Sequence, residues 1–279
     1  MIKNQIKTAV LLGALTGLLL AVGFLIGGND GLIVALIFSL LMNFGTYWFS
    51  DKIVLMMYRA KQVDKNHQLY KLVEEVVKEA KVPMPKVYIL PTNNLNAFAT
   101  GRSPKKSSVA ATEGIIQHLT KEELKGVMAH EIAHVKNRDT LIATIAATIA
   151  GIISYLAYMT RFASIFGGER DRNAGDLFVM LGLAILTPII ATLIQLAISR
   201  SREFIADETG ARFIKNPDAL ARALEKLESY NKNHPITFGT QATSSLFIVN
   251  PFSGRNFIKL FSTHPPTEER IKRLKSLKI

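Results

Sequence analysis

No cysteine occurs among the 279 residues. Disulfides, thiolate nucleophiles and every zinc site built on Cys are therefore excluded, and His, Asp and Glu remain as the side chains able to ligate a metal. Charge is also sparse: 20% of residues are charged against 48% hydrophobic, and the mean hydropathy is +0.20. A chain of this length can bury a sizeable core, yet that balance is too apolar for a wholly water-soluble protein, so part of it must sit in lipid. Acidic residues are outnumbered, 22 against 34 Lys and Arg, for a formal charge of +12. In a soluble protein this excess would suggest nucleic acid. The basic and aromatic interleaving of nucleic-acid binders is missing, however, and Lys and Arg beside lipid-embedded segments are expected near anionic headgroups. No nucleic-acid partner is expected.

What the sequence has instead is four stretches free of Asp, Glu, Lys and Arg, at 8–29, 31–50, 140–160 and 177–199. Each is long enough to cross about 30 Å of hydrocarbon as a helix. Lys3 and Lys7 precede the first, as in a signal peptide, but the run is long, lacks a small-residue cleavage site and is followed almost at once by a second. An uncleaved hairpin is the reading. Gly13 and Gly17 in its first arm have the spacing of close helix packing. Spans three and four have a second reading, as a pair of buried core helices, but uncharged runs of this length are rare in soluble folds.

Residues 51–139 carry fifteen Lys and Arg against ten acids, residues 200–279 fourteen against eight, and the loop 161–176 three against three. By the positive-inside tendency both large polar regions face the cytoplasm. The chain thus divides into a transmembrane hairpin (1–50), a first cytoplasmic part (51–139), a second transmembrane pair (140–199) and a second cytoplasmic part (200–279). An even number of crossings separates the two cytoplasmic parts, so they can meet in one domain. No internal repeat or low-complexity linker interrupts this plan.

In the polar parts, residues 64–80 place Leu69, Leu72, Val73, Val76, Val77 and Ala80 at helical spacing, with charges opposite, and Pro83 and Pro85 end the segment. Residues 86–90, 96–100 and 108–112 read as strands around a Gly-Arg-Ser-Pro-Lys-Lys turn, which predicts a small antiparallel sheet. Thr120 and Glu123 form a capping box that opens a helix through Leu124, Val127, Met128, Ile132 and Val135. Asn216-Pro217 starts a further helix with Leu220, Leu224 and Leu227, and Thr267 a final basic one. The fold class expected is a mostly helical integral membrane protein carrying an α+β catalytic domain.

The helix opened by Thr120 contains His130-Glu-Ile-Ala-His134. Two imidazoles four positions apart share one helix face, with the Glu131 carboxylate beside them, which is half of a zinc site with a base supplied. A catalytic zinc needs a third protein ligand and an open position. Glu203 is the candidate, with Asp207 one turn on, where it can orient a ligand imidazole. The bland alternative is that both are solvated charges near a membrane. Glu131 is expected to hold the attacking water, take its proton and pass it to the leaving amine. Two His and a carboxylate would also suit iron, but the internal Glu favours one Zn²⁺ per chain and hydrolysis. His67, His118 and His234 have no partner spacing and are expected at the surface. Residues 96–100, with Asn96, Ala97 and Phe98, are read either as an exposed edge strand on which an extended substrate pairs by main-chain hydrogen bonds, or as an ordinary hairpin strand.

His130-Glu-Ile-Ala-His134 followed by Val135-Lys-Asn-Arg-Asp139, an apolar segment, and Arg200-Ser-Arg-Glu203-Phe-Ile-Ala-Asp207 resembles the membrane zinc metalloproteases of the HtpX type, distant relatives of the CAAX prenyl proteases. Asn96-Ala-Phe-Ala-Thr-Gly101 and His264-Pro-Pro-Thr-Glu-Glu-Arg270 also resemble motifs of that family, and the paired spans match its layout. The resemblance implies a zincin-like (gluzincin) domain facing the cytoplasm from a bacterial plasma (inner) membrane, and an endopeptidase acting in membrane-protein quality control and stress response. It implies protein substrates, misfolded membrane proteins above all, and a site role for His264, donating to the oxyanion or capping the zinc at rest, with Arg270 as its companion.

Two other readings compete. A prenyl-protein processing enzyme shares the chemistry, but relatives of that kind carry more spans around a large chamber. A membrane-anchored, non-catalytic zinc-binding chaperone would close all four zinc positions with protein ligands and has no use for Glu131. A transporter would want ionisable groups inside its spans, and none of the four stretches has one.

Overall fold

The N-terminal apolar stretches fold as one helical element, α1 (Ile2–Met57), broken into two arms at Gly27 and Gly28. Gly28 turns the chain with φ +57° and ψ −137°, a region that side chains with a Cβ avoid. The arms touch beside that turn: a Cβ on Gly23 would lie 2.5 Å from the Gly31 carbonyl oxygen and 2.5 Å from Ala35 Cβ. Gly13 and Gly17, whose spacing would allow close packing, face open space, and the arms meet backbone to backbone at the turn instead. Further along, Asn43 Nδ2 donates to Thr16 Oγ1 at 2.7 Å. The arm Gly27–Met57 is long and apolar enough to cross a membrane; the first arm contains a shorter apolar helix, Leu12–Ala21. Val34, Leu40, Leu41 and Phe44 are exposed on the second arm, a surface that suits lipid.

This computed structural model describes residues 2–145, 200–234, 248 and 265–279. Residues 146–160 of the third expected span, the loop 161–176, the fourth span and His264 lie outside the described residues.

Four strands, β1 (Lys61–Gln62), β2 (Lys86–Leu90), β3 (Ala97–Ser103) and β4 (Lys106–Thr112), form one sheet in the order β1-β2-β4-β3. The β3–β4 hairpin is antiparallel, as the turn residues predict, but β2 runs parallel to β4, pairing Val87 with Val109 and Ile89 with Ala111. The expected antiparallel sheet is therefore a mixed one. The segment 91–96 carries the chain past the position of β4, so β3 takes the outer edge and β4 fills the centre. Alternation then sorts the side chains by face. Val87, Val109 and Ala111 join the main core, whereas Leu90, Phe98 and Ala110 pack on Val54 and Leu55 at the end of α1.

The helices close over the first face. α2 (Gln68–Ala80) buries the six apolar residues its periodicity marks, and starts four residues later than the pattern because Asp64 Oδ1 accepts the N–H groups of Asn66 and His67 in a turn. After the short α3 (Glu113–His118), α4 (Lys121–Asn137) opens with both halves of the Thr120–Glu123 capping box formed. Val127, Met128, Ile132 and Val135 of α4 are fully buried, each contributing about 1.5–3 kcal/mol of apolar burial. Further along the chain, α5 (Arg200–Ile214) and α6 (Pro217–Asn233) pack against α4, and α7 (Thr267–Ser276) packs on α6 and α5. α4 is thus the central rod, and it carries the HExxH residues.

Candidate metal centre

Four-residue spacing puts His130 and His134 on one face of α4, and their Nε2 atoms converge to 3.1 Å. α5 crosses that face at a glycine. A Cβ on Gly210 would lie 2.8 Å from the Ala129 carbonyl carbon and 2.8 Å from the His130 nitrogen, so only glycine lets the two backbones meet there. Glu203, Asp207 and Gly210 occupy positions i, i+4 and i+7 of α5, so the face that touches α4 is the one that bears both carboxylates. Glu203 Oε2 lies 3.7 Å from His130 Nε2, and Oε1 lies 3.5 Å from His134 Nε2. One ligand atom from each of the three residues falls within 4.8 Å of the others. Bonds of about 2.0–2.2 Å to a tetrahedral zinc would separate ligand atoms by roughly 3.3–3.6 Å, so this donor set fits such an ion.

Each imidazole also faces a carboxylate through its other nitrogen. His130 Nδ1 lies 2.9 Å from Asp207 Oδ1, and His134 Nδ1 lies 3.5 Å from Asp139 Oδ2. Both carboxylates are in turn held by arginine. Arg270, only 1% exposed, forks onto Asp207 through Nε and Nη2 at 2.8 and 2.7 Å, while its Nη1 donates to the Ile248 carbonyl at 2.6 Å and lies 3.9 Å from Glu203. Arg202 Nη1 lies 3.6 Å from Asp139. Solvated charges, the bland reading of Glu203 and Asp207, is thereby overturned: both are buried and face the His pair.

Charge and burial set the proton inventory. Burial pushes the Glu131 carboxyl up to about 7; the Glu203 charge adds to this, while His134 and a hydrogen bond from the Ala99 N–H oppose it. Burial would lower His134 too, but Asp139, Glu203 and Glu131 push it up to about 9. Burial keeps His130 below its ordinary value despite Asp207. Asp207 is brought down to about 2 against its burial, chiefly by the Arg270 charge. Burial thus holds the Glu131 carboxyl well above the ordinary carboxylate range, in the direction a general base needs.

Residues 96–100 divide differently from their expectation. β3 is a sheet edge, and the Ala99 N–H on its outer side reaches Glu131. The stretch is not exposed: Asn96, Ala97, Phe98, Ala99 and Thr100 are all buried. Asn96 accepts the Ile248 N–H on its side-chain oxygen at 3.2 Å, and Phe98 packs on Tyr58, just past the end of α1. Further on, Thr140 Oγ1 donates to the Gly101 carbonyl at 2.8 Å, at the start of a helical segment over 140–145. His67 caps α2, and His118 and His234 lie against Tyr230, all outside the cluster. Asp139, Arg202 and Gly210 were not singled out by sequence reasoning. Asp139 and Arg202 stand within the two stretches that resemble family motifs, but neither was given a role there, and Gly210 carries no signal that a single sequence reveals.

Comparison with known proteins adds an independent line. The model of peptidase family M48 matches residues 64–278. A protease HtpX homolog of Syntrophobacter fumaroxidans is 52% identical over 98% of this chain and 99% of its own. One of Pyrococcus furiosus is 51% identical over 98% and 95%. Among solved structures, Ste24p of S. mikatae superposes with a TM-score of 0.51 at 19% identity, over 98% of this chain and 66% of that one. The chain thus spans about two thirds of the solved chain, and that likeness speaks for the fold.

Proposed function

The chain belongs to peptidase family M48 and is a membrane metalloprotease, and from that premise we propose that it is a zinc-dependent endopeptidase of misfolded or damaged membrane proteins. The observation that carries the reading is the convergence of His130, His134 and Glu203 beside the buried carboxylate of Glu131. His130, His134 and Glu203 would hold the zinc, which when bound polarises a peptide carbonyl and acidifies water. Glu131 receives the proton of the attacking water and returns it to the leaving amine. Asp207 and Asp139 fix the rings of His130 and His134, and Arg270 and Arg202 fix those carboxylates. An extended substrate would lie along the outer edge of β3 near Ala99, next to Glu131, with Asn96 and Phe98 holding that strand from within rather than touching substrate. His264 is assigned to the oxyanion on its motif alone.

The zincin-like domain follows a transmembrane hairpin (1–50) and is assembled from 51–139 and 200–279, two parts that a second pair of spans (140–199) separates in the chain. Lys and Arg excess on both halves supports a multi-pass protein of the plasma membrane with its site in the cytoplasm. The prenyl-processing alternative has less support, since the protease HtpX homologs align over nearly the full length of both chains.

The test is co-reconstitution in liposomes with a membrane protein and a destabilised variant of it. Cleavage of the variant, with the stable parent left intact, is expected. Equal cleavage of both, or cleavage confined to a prenylated peptide, would sink the proposed substrate class.

A further inference from the structure

Trp48 is the protein's one tryptophan. It stands near the end of the α1 arm that is long enough to cross a membrane, in ring contact with Phe44 and Tyr47. All three, and Phe49 beside them, are exposed. Aromatic rings collected where an apolar helix gives way to charge mark the level of lipid headgroups. Cations gather at the same level. The Arg102 guanidinium lies over the Trp48 ring, 4.0 Å from its centroid, and Lys52 over Phe49 at 5.6 Å. Arg102 lies near the end of β3, and the turn that follows leads through Lys105 to Lys106 at the start of β4, both exposed. Within residues 44–52 and 101–106 these four cations face one acid, Asp51.

We propose that this collar of Trp48, Lys52, Arg102, Lys105 and Lys106 binds the headgroups of anionic phospholipid. The inference rests on the membrane placement of α1 proposed above. A zwitterionic headgroup carries no net charge for four cations to meet, whereas each Lys or Arg at an anionic surface strengthens attraction by roughly fivefold. Arg102 stacked on Trp48 ties the lipid-facing helix to β3, and three residues along that strand the Ala99 N–H meets Glu131. Headgroup binding therefore anchors the strand beside the proposed base at the bilayer surface, where segments of membrane proteins emerge.

Trp48, as sole tryptophan, reports on its own surroundings. The full chain is reconstituted in phosphatidylcholine vesicles containing an equal mole fraction of either phosphatidylglycerol or phosphatidylcholine brominated on its acyl chains, and Trp48 fluorescence is read. Brominated phosphatidylglycerol should quench at least about twofold more than brominated phosphatidylcholine, a preference that shrinks at high salt. The ratio of the two should fall to one in the Arg102→Gln/Lys105→Gln/Lys106→Gln variant. Equal quenching of the wild type at low salt overturns the proposal and leaves α1 in the bilayer. Quenching by neither lipid puts Trp48 outside the membrane and overturns the placement of α1 as well.

Discussion

Arg270 and Asp207 form a two-point pair in the interior, with Nε and Nη2 of one donating to the two carboxylate oxygens of the other at 2.8 and 2.7 Å. Removing one partner of such a buried pair costs about 3–5 kcal/mol, because the other charge is left stranded. Arg270→Gln is therefore expected to lower the melting temperature in detergent and to weaken metal retention together. Arg270→Lys keeps the charge and loses the fork, and should fall between. Unchanged melting in both variants would contradict the pairing.

Asp207 and Asp139 face the Nδ1 atoms of His130 and His134 respectively. Loss of such a partner typically costs 10–100-fold in metal affinity. Asp139→Asn and Asp207→Asn should each show that loss in competition with a chelator. Asp207→Asn should be the worse of the two, since it also leaves Arg270 without its counter-charge.

Gly210 sets the distance between α5 and α4. A methyl group there would lie 2.8 Å from the backbone of Ala129 and His130, so Gly210→Ala must push the helices apart and withdraw Glu203 from the His pair. The expected result is a folded protein, by circular dichroism, with metal affinity reduced at least about tenfold. Gly13→Ala, beside open space, serves as the matched control and should change nothing.

Burial raises Glu131 from 4.5 to about 7, and only its carboxylate can accept a proton. Activity is therefore present above that value and lost as pH falls through it. A bound divalent cation pulls the value back down, so the acid limb of kcat/KM should inflect no higher than about 7. An acid limb above that would mean that Glu131 is not the group being titrated.

What is local in the chain was legible in the sequence. The buried face of α2, the Thr120–Glu123 box and the shared face of His130 and His134 all depend on spacings of three or four residues, and each stands in the structure as its spacing predicts. Glu203 and Asp207 were legible as a pair one turn apart. What brings them to His130, the close approach at Gly210, is a contact between segments some eighty positions apart and leaves no mark on either. The order of the sheet was hidden for the same reason. Strands 86–90 and 108–112 announce themselves by composition, but their parallel pairing depends on the path of 91–96. Of the two readings of 96–100, an exposed edge strand or an ordinary hairpin strand, the structure gives the edge but buries the side chains, because such a stretch looks the same whether its far face meets water or, as Phe98 does, the end of α1.

The most direct test of the central claim is cleavage of unfolded casein by the detergent-purified protein, wild type against Glu131→Gln, with metal content measured on the same samples. Expected are turnover and about one zinc per chain in the wild type, and undiminished zinc without turnover in the variant. Turnover that survives in Glu131→Gln, or a wild type that binds zinc through four protein ligands and never cuts, would contradict it.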